Sequence, residues 1–333
     1  MKPPSISVIL ISSKRKNFIL QALNSLANQT MSRERFEIIC VKNFTDQNLD
    51  QEIMRYSNAV INSNDLRYGI KVSEAILVSK GEIICFLDDD DMFSHDKLER
   101  VSLIFSENPQ LNYYHNGRTT DHEEFLNQGS RKSKVGNSRV LNLEKPNFNE
   151  TLSFFRLYPD FNSSSISIRR KVLDGKIGHL KNLIMHPDTF FLFCALETEG
   201  ILIEDPKLLT FYRLHQSTTN DFHQNIDDFY SNKFHYYEST NGDWKVITSI
   251  LKKEVNLKLC RCEMVHNAFL RGIFNKDISS KDMFKLTNDF FKCIYVRKIM
   301  NMIILLIIGY LITFFPRTGR RFYYNMSIRF FSR

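Results

Sequence analysis

The sequence predicts an α/β protein in which a mostly parallel sheet is flanked by helices and followed by a helical C-terminal region. Short apolar runs of strand length alternate with amphipathic segments through the first half of the chain. No hairpin turn signal separates these runs, which favours parallel strands joined by right-handed crossovers. The second half is mostly helical in pattern and contains one strongly hydrophobic helix, at residues 299–315.

The predicted strands are continuous apolar runs of the kind found in strands that are buried on both faces. In chain order they lie at residues 6–11, 36–41, 59–61, 82–87, 164–168, 201–203 and 208–212.

Helices are predicted where apolar residues recur on one face. Ile19, Leu23 and Leu26 have helical spacing, and a helix that contains Leu98 stops before Pro109. A further helix is predicted for residues 71–79.

The middle of the chain offers one more helix between two less regular segments. Pro187 suits the first position of a helix that Gly200 closes. Residues 117–160 are polar and irregular, which predicts a long loop with short elements. Residues 221–291 are mixed and are predicted to be helical.

Composition and charge narrow the class of protein. Of the 333 residues, 43% are hydrophobic and 13% aromatic, which is ample for a core and excludes global disorder. The net charge of +8 is carried entirely by eight basic residues after Asp289, where no acidic residue follows. The rest of the chain is neutral, so we expect no nucleic-acid partner.

Six cysteines are present, and they do not suggest a disulfide framework. Cys40 and Cys85 lie inside predicted strands, where a thiol is usually a small core residue. Cys260 and Cys262 form a single pair with no second pair at zinc spacing. A reducing, cytosolic setting fits best, and the first apolar run, 6–11, is too short for a signal peptide.

The hydrophobic segment 299–315 approaches the length of a membrane span, which needs about 20 residues with about 17 as the lower limit. Basic residues flank both ends, so the positive-inside rule gives no orientation. A span, a re-entrant segment, an in-plane anchor with a basic tail, and a buried helix of a soluble protein are the alternatives. We expect membrane contact, and with it a location at the cytoplasmic face of the cell membrane.

An acidic run, Asp88 to Asp91, follows the strand at 82–87 without a spacer. Ligands bind at the carboxyl edge of a parallel sheet, and carboxylates there can hold Mg²⁺ or Mn²⁺ together with phosphate oxygens. The alternative is a solvated acidic turn that caps a helix at Asp96. The placement directly after a strand favours the metal site.

Several segments, in the same order, resemble family 2 glycosyltransferases. They cover roughly residues 5–220, and they are 6–13, 26–30, 36–41, the strand and aspartate run at 81–93, Asp188 before a helix, and 209–217. The resemblance implies a GT-A fold and a nucleotide diphosphate sugar as the donor. Together with the residue pattern beyond it, the resemblance predicts three regions: a catalytic domain at 1–220, a helical extension at 221–291, and the hydrophobic segment with its basic tail at 292–333.

The resemblance also implies roles for individual residues. Asp188 corresponds to the base that takes the acceptor proton, with His186 as the second candidate. The implied ligands of Mg²⁺ or Mn²⁺ are Asp88, Asp90, Asp91 and His215. The implied nucleotide-sugar-binding residues are Ser12, Asn43, Asp46, Lys71, Asp88, Asp89 and Arg213.

Two departures from the family pattern concern the nucleotide. The paired aspartates usual after the second strand are replaced by Lys42 and Asn43, with Asp46 as a substitute, so uridine specificity is not implied. The opening strand ends in the segment 12–15, Ser-Ser-Lys-Arg, instead of the common Pro-Thr-Tyr-Asn turn. The Gln-x-x-Arg-Trp motif of processive synthases is absent around the single tryptophan, Trp244, which favours transfer of a single sugar.

The sequence thus predicts a membrane-associated, metal-dependent, inverting glycosyltransferase. The predicted acceptor is a glycan or a lipid-linked molecule held near the bilayer, and this inference rests only on the hydrophobic segment. One alternative is a degenerate GT-A domain that acts as a membrane-docked binding module. Another is a sugar nucleotidyltransferase, which would need a glycine-rich phosphate loop, but residues 12–17 contain no glycine.

Overall fold

The computed structural model describes residues 4–13, 16–126, 137–144, 146–214, 225–297 and 299–331. The chain forms two compact units, residues 1–214 and residues 215–333.

The N-terminal unit contains one mixed sheet with helices around it. Within its described residues the strands are β1 (Ile6–Ser12), β2 (Phe36–Lys42), β3 (Ala59–Asn62), β4 (Ile83–Asp88), β5 (Met92–Phe93), β6 (Leu111–Thr119), β7 (Arg139–Asn142), β8 (Ile166–Arg169) and β9 (Ile201–Phe211). The helices are α1 (Ile19–Ala27), α2 (Gln47–Tyr56), α3 (Tyr68–Val78), α4 (Lys97–Glu107), α5 (His122–Leu126), α6 (Phe148–Phe155), α7 (Ile177–Leu180) and α8 (Pro187–Glu197).

The strand order is β3-β2-β1-β4-β8-β6-β9-β5, and β7 pairs with β9. The first four strands are parallel, as predicted. Strand β8 is antiparallel to both β4 and β6, and β6 returns to a parallel pairing with β9. The observed architecture is therefore the predicted α/β fold, with antiparallel strands added in its second half.

Strand β1 lies at the centre of the parallel half, and all seven of its residues are buried. Its apolar side chains pack with those of β2 and β4 and with α1, which places a hydrophobic layer on the sheet. The register pairs Ile11 of β1 with Asp88 of β4, and Ser12 with Lys42 of β2. The carboxyl ends of three strands therefore meet at one edge of the sheet.

The second half of the sheet differs from prediction in two places. The two strands expected at 201–203 and 208–212 are one strand, β9, which shifts register against β6. Strand β6 itself was expected to be part of a loop from residue 117 onward. It was missed because its buried residues include polar ones: the Asn112 amide donates to the Glu199 carbonyl, and the His115 ring bonds to Glu204.

The C-terminal unit is helical in its described residues. Its helices are α9 (Ile226–Ser239), α10 (Asn241–Ser249), α11 (Glu254–Phe274), α12 (Ser280–Cys293), α13 (Ile299–Phe314) and α14 (Pro316–Phe331). The core contains Phe269 of α11 stacked on Phe290 of α12, with 4.1 Å between ring centroids. Ile308 and Ile312 of α13 are buried in the same cluster.

The predicted membrane anchor is wrong. Within the residues described, no helix is both long enough and apolar enough to span a bilayer. The apolar run ends as a helix of 16 residues because Pro316 begins a second helix, α14. One side of α13 packs against protein, since Ile308 and Ile312 lie 1% and 2% exposed. The predicted location at the cytoplasmic face of the cell membrane depended on this anchor and is therefore also wrong.

Candidate active site at the carboxyl edge of the sheet

Asp88 ends β4 and is held through both of its carboxylate oxygens. The Tyr68 hydroxyl, from the start of α3, donates to Oδ1 at 2.5 Å. The Ser163 hydroxyl donates to Oδ2 at 2.7 Å. The backbone of Asp88 is fixed as well, because its N–H donates to the Ser164 hydroxyl. Asp88 is therefore a positioned carboxylate at the edge of the sheet.

Asp89 turns toward β1 and is 2% exposed. Its Oδ2 atom accepts hydrogen bonds from the Ser12 hydroxyl at 2.7 Å and from the Ser13 backbone N–H at 3.3 Å. The buried Lys71 ammonium donates to the Ser13 hydroxyl at 2.5 Å. Three residues predicted to bind the nucleotide sugar, Ser12, Lys71 and Asp89, thus lie in one connected group.

Asp91 is almost fully buried, with 1% of its surface exposed. Its Oδ1 atom accepts the backbone N–H of Arg213, and its Oδ2 atom has no hydrogen-bond partner among the described residues. Burial, together with the negative charges of Asp88 and Asp90, raises the pKa of Asp91 to about 8. An orphaned carboxylate oxygen of this kind needs a proton or a cation.

Arg213 binds the aspartate run through both its backbone and its side chain. In addition to its backbone bond to Asp91, its Nε atom donates to the Asp90 carbonyl at 2.9 Å, and its terminal nitrogen donates to Gln21 at 2.6 Å. The guanidinium also lies over the Phe18 ring, 4.3 Å from its centroid. Arg213 therefore reaches the predicted site, where it holds Asp90 and Asp91 in place.

A divalent cation would be held here by few protein ligands. Among the described residues, no group of three or more histidine, cysteine, aspartate or glutamate side chains is arranged to hold a metal ion. Mg²⁺ usually takes one or two carboxylates and completes its shell with water and substrate phosphates. Asp91, with its orphaned Oδ2, and the partly exposed Asp90 fit that pattern. The predicted fourth ligand, His215, lies outside the described residues.

Asp188 lies in the first turn of α8, directly after Pro187, which occupies a position where its missing N–H costs nothing. The pKa of Asp188 is raised to about 8, first by burial and then by the charge of Asp160, with a smaller effect from Asp88. The Tyr68 phenol feels the charges of both Asp88 and Asp188. The predicted base is thus electrostatically linked to the aspartate run. His186, the second candidate, is the residue that precedes α8.

Asp160 is a site residue that the sequence did not indicate. It is 8% exposed, and its Oδ2 atom accepts the Thr189 hydroxyl at 3.0 Å. The Thr189 backbone N–H donates to Asp188 Oδ1 at 2.8 Å, so one threonine contacts both carboxylates. Tyr158 and Asn162 near Asp160 have φ of 58° and 70°, a strained backbone that a positioned functional loop can carry. No local motif marks Asp160, because its hydrogen-bond partner Thr189 lies 29 residues further along the chain.

Lys97 is a second residue that sequence reasoning missed. Its ammonium is fully buried and donates to the Ser164 carbonyl and to the Thr210 hydroxyl. Burial lowers the pKa of Lys97 to about 7, against the attraction of Asp91. Because Ser164 also accepts a hydrogen bond from the backbone of Asp88, this lysine stabilises a residue that contacts the aspartate run.

The residues predicted to contact the nucleobase have local contacts of their own. Asp46 caps α2 by accepting the Leu49 N–H, and it pairs with Lys16 at 3.0 Å. Lys42 pairs with Asp50 at 3.0 Å. Asn43 is partly buried just after β2.

The mixed α/β sheet thus has carboxylates at its edge and a further carboxylate, Asp188, at the start of a neighbouring helix. Residues 7–175 match the family model described as glycosyl transferase family 2. The chain therefore belongs to the family 2 glycosyltransferases.

Two relatives that are similar in sequence are also named as glycosyltransferases. The poly(ribitol-phosphate) beta-glucosyltransferase of Bacillus spizizenii is 36% identical over 110 residues, which cover 31% of this chain and 17% of that protein. An uncharacterized glycosyltransferase of Haemophilus influenzae is 26% identical over 203 residues, 60% of this chain and 59% of that protein. The chain thus spans less than two thirds of either relative.

Solved structures share the fold. S. aureus TarS 1-349 in complex with UDP-GlcNAc superposes with a TM-score of 0.56 at 15% identity, covering 98% of this chain and 91% of that one. The mannosyltransferase PcManGT from Pyrobaculum calidifontis, in complex with GDP-Man and Mn²⁺, gives 0.54 at 11% identity, covering 98% and 84%. At such identities the likeness extends to the GT-A fold and not to individual side chains.

Proposed function

We propose that this enzyme transfers a single sugar from a nucleotide diphosphate sugar to an acceptor hydroxyl, with inversion at the anomeric carbon. The observation that carries the proposal is the position and environment of Asp188. Its carboxyl is joined to Asp160 through Thr189, is linked electrostatically to Asp88, and has a pKa raised to about 8. A general base works best when its pKa lies near the working pH.

In the proposed reaction the acceptor oxygen forms a bond to the anomeric carbon of the donor. The bond from that carbon to the diphosphate oxygen breaks, and the nucleoside diphosphate leaves. The hydroxyl proton passes to the Asp188 carboxylate on the face opposite the leaving group, which is why the configuration inverts. Thr189 orients the base through its backbone N–H.

Asp90 and Asp91 are the residues that would hold a divalent cation. When bound, Mg²⁺ or Mn²⁺ would neutralise the negative charge that develops on the leaving diphosphate. The orphaned Oδ2 atom of Asp91 and the raised pKa of that residue support this assignment, because a cation would favour its ionised form. Arg213 keeps both aspartates in place for this role.

The group around Asp89 is proposed to receive the nucleotide. The Ser12 hydroxyl and the Lys71 ammonium line the connection between β1 and the aspartate run, and Lys71 brings a buried positive charge. A buried ammonium beside backbone N–H groups suits a phosphate. UDP-GlcNAc and GDP-mannose, which the structural neighbours bind, are the first donors to test.

The test is donor turnover by the purified chain in the presence of Mn²⁺, measured as nucleoside diphosphate release. Asp188→Asn should abolish turnover by at least about 100-fold, in line with the loss of a general base. The exposed Asp174→Asn in the same unit is the matched control and should turn over normally. Retained turnover in Asp188→Asn would contradict the assignment. Proton NMR of the sugar as it is released, before mutarotation, tests inversion.

A further inference from the structure

Arg118, the penultimate residue of β6, carries a guanidinium group without a hydrogen-bond partner among the described residues. Its side chain lies over the Phe161 ring, 4.0 Å from the centroid, and it makes no hydrogen bond or ion pair with any residue that the structure describes. It is nevertheless partly buried, and burial lowers the pKa of Arg118. A partly desolvated cation whose N–H donors are unused is costly unless a ligand satisfies them.

Other arginines of this unit are engaged. Arg213 bonds to the aspartate run and to Gln21, Arg100 pairs with Asp205 at 2.7 Å, and Arg170 donates to the Gly81 carbonyl. The N–H donors of these arginines bond to other residues of the fold, whereas those of Arg118 bond to none of the described residues. The contrast indicates a role for Arg118 in binding.

An aromatic surface adjoins the guanidinium. The Phe161 side chain is 43% exposed, although it lies beside buried residues, and the Tyr212 ring meets it edge-on with 5.6 Å between centroids. The His115 ring bonds to the Phe161 carbonyl at 2.9 Å and so ties the loop that presents Phe161 to β6. Exposed aromatic rings next to a few polar groups are the usual lining of a small-molecule site.

This surface adjoins the proposed base through Asp160. Phe161 follows Asp160 directly, and Thr189 contacts both Asp160 and Asp188. Among carboxylates, the charges of Glu204, Asp91 and Asp160 act on Arg118, in that order. An acceptor must approach the base and the anomeric carbon from the face opposite the leaving group. A ligand bound to the Arg118 guanidinium beside Phe161 and Tyr212 would lie next to Asp160, whose neighbour Asp188 is the proposed base.

We propose that Arg118, Phe161 and Tyr212 form an acceptor subsite that takes an anionic sugar or polyol. The guanidinium fork binds a phosphate or carboxylate group of the acceptor through two parallel hydrogen bonds. The carbon skeleton packs on the aromatic rings. The inference rests on the proposed function, because it takes Asp188 as the group that marks the acceptor side.

The experiment measures binding by calorimetry to the full chain saturated with UDP and Mn²⁺, so that the diphosphate site is filled. The probes are glucose 6-phosphate, glucuronate and glucose, which separate phosphate from carboxylate recognition and both from neutral binding. The variants are Arg118→Gln and Arg118→Lys, with the exposed Arg55→Gln as the matched control. Each variant is first checked for the wild-type melting temperature.

We expect at least one anionic probe to bind about 10-fold more tightly than glucose, a preference of about 1.4 kcal/mol. Arg118→Gln should remove that preference. Arg118→Lys should retain part of it, because charge remains while the planar fork is lost. Arg55→Gln should leave it unchanged, as should Asp188→Asn, which abolishes turnover. Binding in Asp188→Asn therefore separates a failed subsite from a failed base assignment.

Two results would overturn the proposal. The first is equal binding of all three probes, or no binding at concentrations up to about 10 mM. The second is that Arg118→Gln weakens UDP binding as strongly as it weakens the anionic probe, which would place Arg118 in the donor site. If Arg118→Gln does not fold, the Arg118→Lys comparison decides.

Discussion

The Tyr68 hydroxyl donates a 2.5 Å hydrogen bond to the carboxylate of Asp88, and so joins the start of α3 to the end of β4. Because Ser163 binds the other oxygen, Asp88 has a fixed orientation at the edge of the sheet. Of the four consecutive aspartates, Asp88 is anchored by hydroxyls and Asp89 by β1. Asp90 and Asp91 are the proposed cation ligands, because Asp91 Oδ2 has no hydrogen-bond partner among the described residues and Asp90 is partly exposed.

Tyr68→Phe tests the importance of this orientation. Loss of one charge-assisted hydrogen bond should lower kcat/KM for the donor about 10-fold, with little change in the melting temperature. Steady-state kinetics with the active donor measures the effect. Tyr56→Phe, which removes an exposed hydroxyl bond to Asn24, is the control and should behave as wild type. Equal kinetics in Tyr68→Phe and wild type would show that the bond has no role in turnover.

The pH profile should report the raised pKa of Asp188. A general base must be ionised, so kcat/KM is expected to rise with pH and to level off above about 8. Asp160→Asn should move this rise to lower pH by about one pH unit, because it removes a neighbouring negative charge while preserving the Thr189 contact. Rates measured from about pH 5.5 to about pH 9.5 test both statements. An unmoved profile in Asp160→Asn would contradict the coupling of the two carboxyls.

Asp91→Asn should alter stability in a pH-dependent way. The pKa of Asp91 is raised to about 8 in the folded state, so the folded chain binds a proton that the unfolded chain releases. Stability from this group is therefore lost as pH rises from the acidic range through about 8. Asparagine avoids that loss, and the variant should melt roughly 2 °C or more above wild type at about pH 9, with a smaller difference at about pH 5.

The same variant separates the proposed cation site from a purely structural aspartate. Mg²⁺ should raise the melting temperature of the wild type at about pH 9, because it binds the ionised folded form. Asp91→Asn should show little or no increase. Calorimetry with and without Mg²⁺ measures both effects. An equal increase in the two proteins would place the cation elsewhere.

The sequence identified those parts of the fold that local pattern determines. The runs that became β1 and β4 are continuously apolar because both faces of those strands are covered, and that pattern needs no partner to be recognised. Strand β6 was not predicted, because its buried polar residues Asn112 and His115 have hydrogen-bond partners far along the chain. Long-range satisfaction of polar groups leaves no local signal.

The same distinction holds for the site. The aspartate run was predicted because it directly follows a strand, and Asp188 was predicted because the resemblance to family 2 glycosyltransferases implies a base at that position. The sequence did not indicate Asp160 or Arg118, because the residues around them come together only in the folded chain. The hydrophobic helix α13 shows the converse error: its composition is that of a lipid-facing segment, whereas Ile308 and Ile312 pack on protein.

The packing of α13 leads to a prediction about the C-terminal unit. A Cβ atom on Gly309 would lie 2.7 Å from the Phe269 ring and 2.9 Å from the Thr287 hydroxyl. Phe269 cannot move aside easily, because it is fully buried and stacked on Phe290. Gly309→Val should therefore destabilise the unit by about 1–3 kcal/mol, the usual cost of overpacking a core.

The matched control is Gly242→Ala in α10, where an added Cβ meets nothing within 4 Å. That change should leave stability within about 1 kcal/mol of wild type, because a helix favours alanine over glycine. The single tryptophan, Trp244, is buried in α10, so its fluorescence reports unfolding of this unit in urea. A Gly309→Val protein as stable as Gly242→Ala would mean that α13 does not pack on α11 in solution.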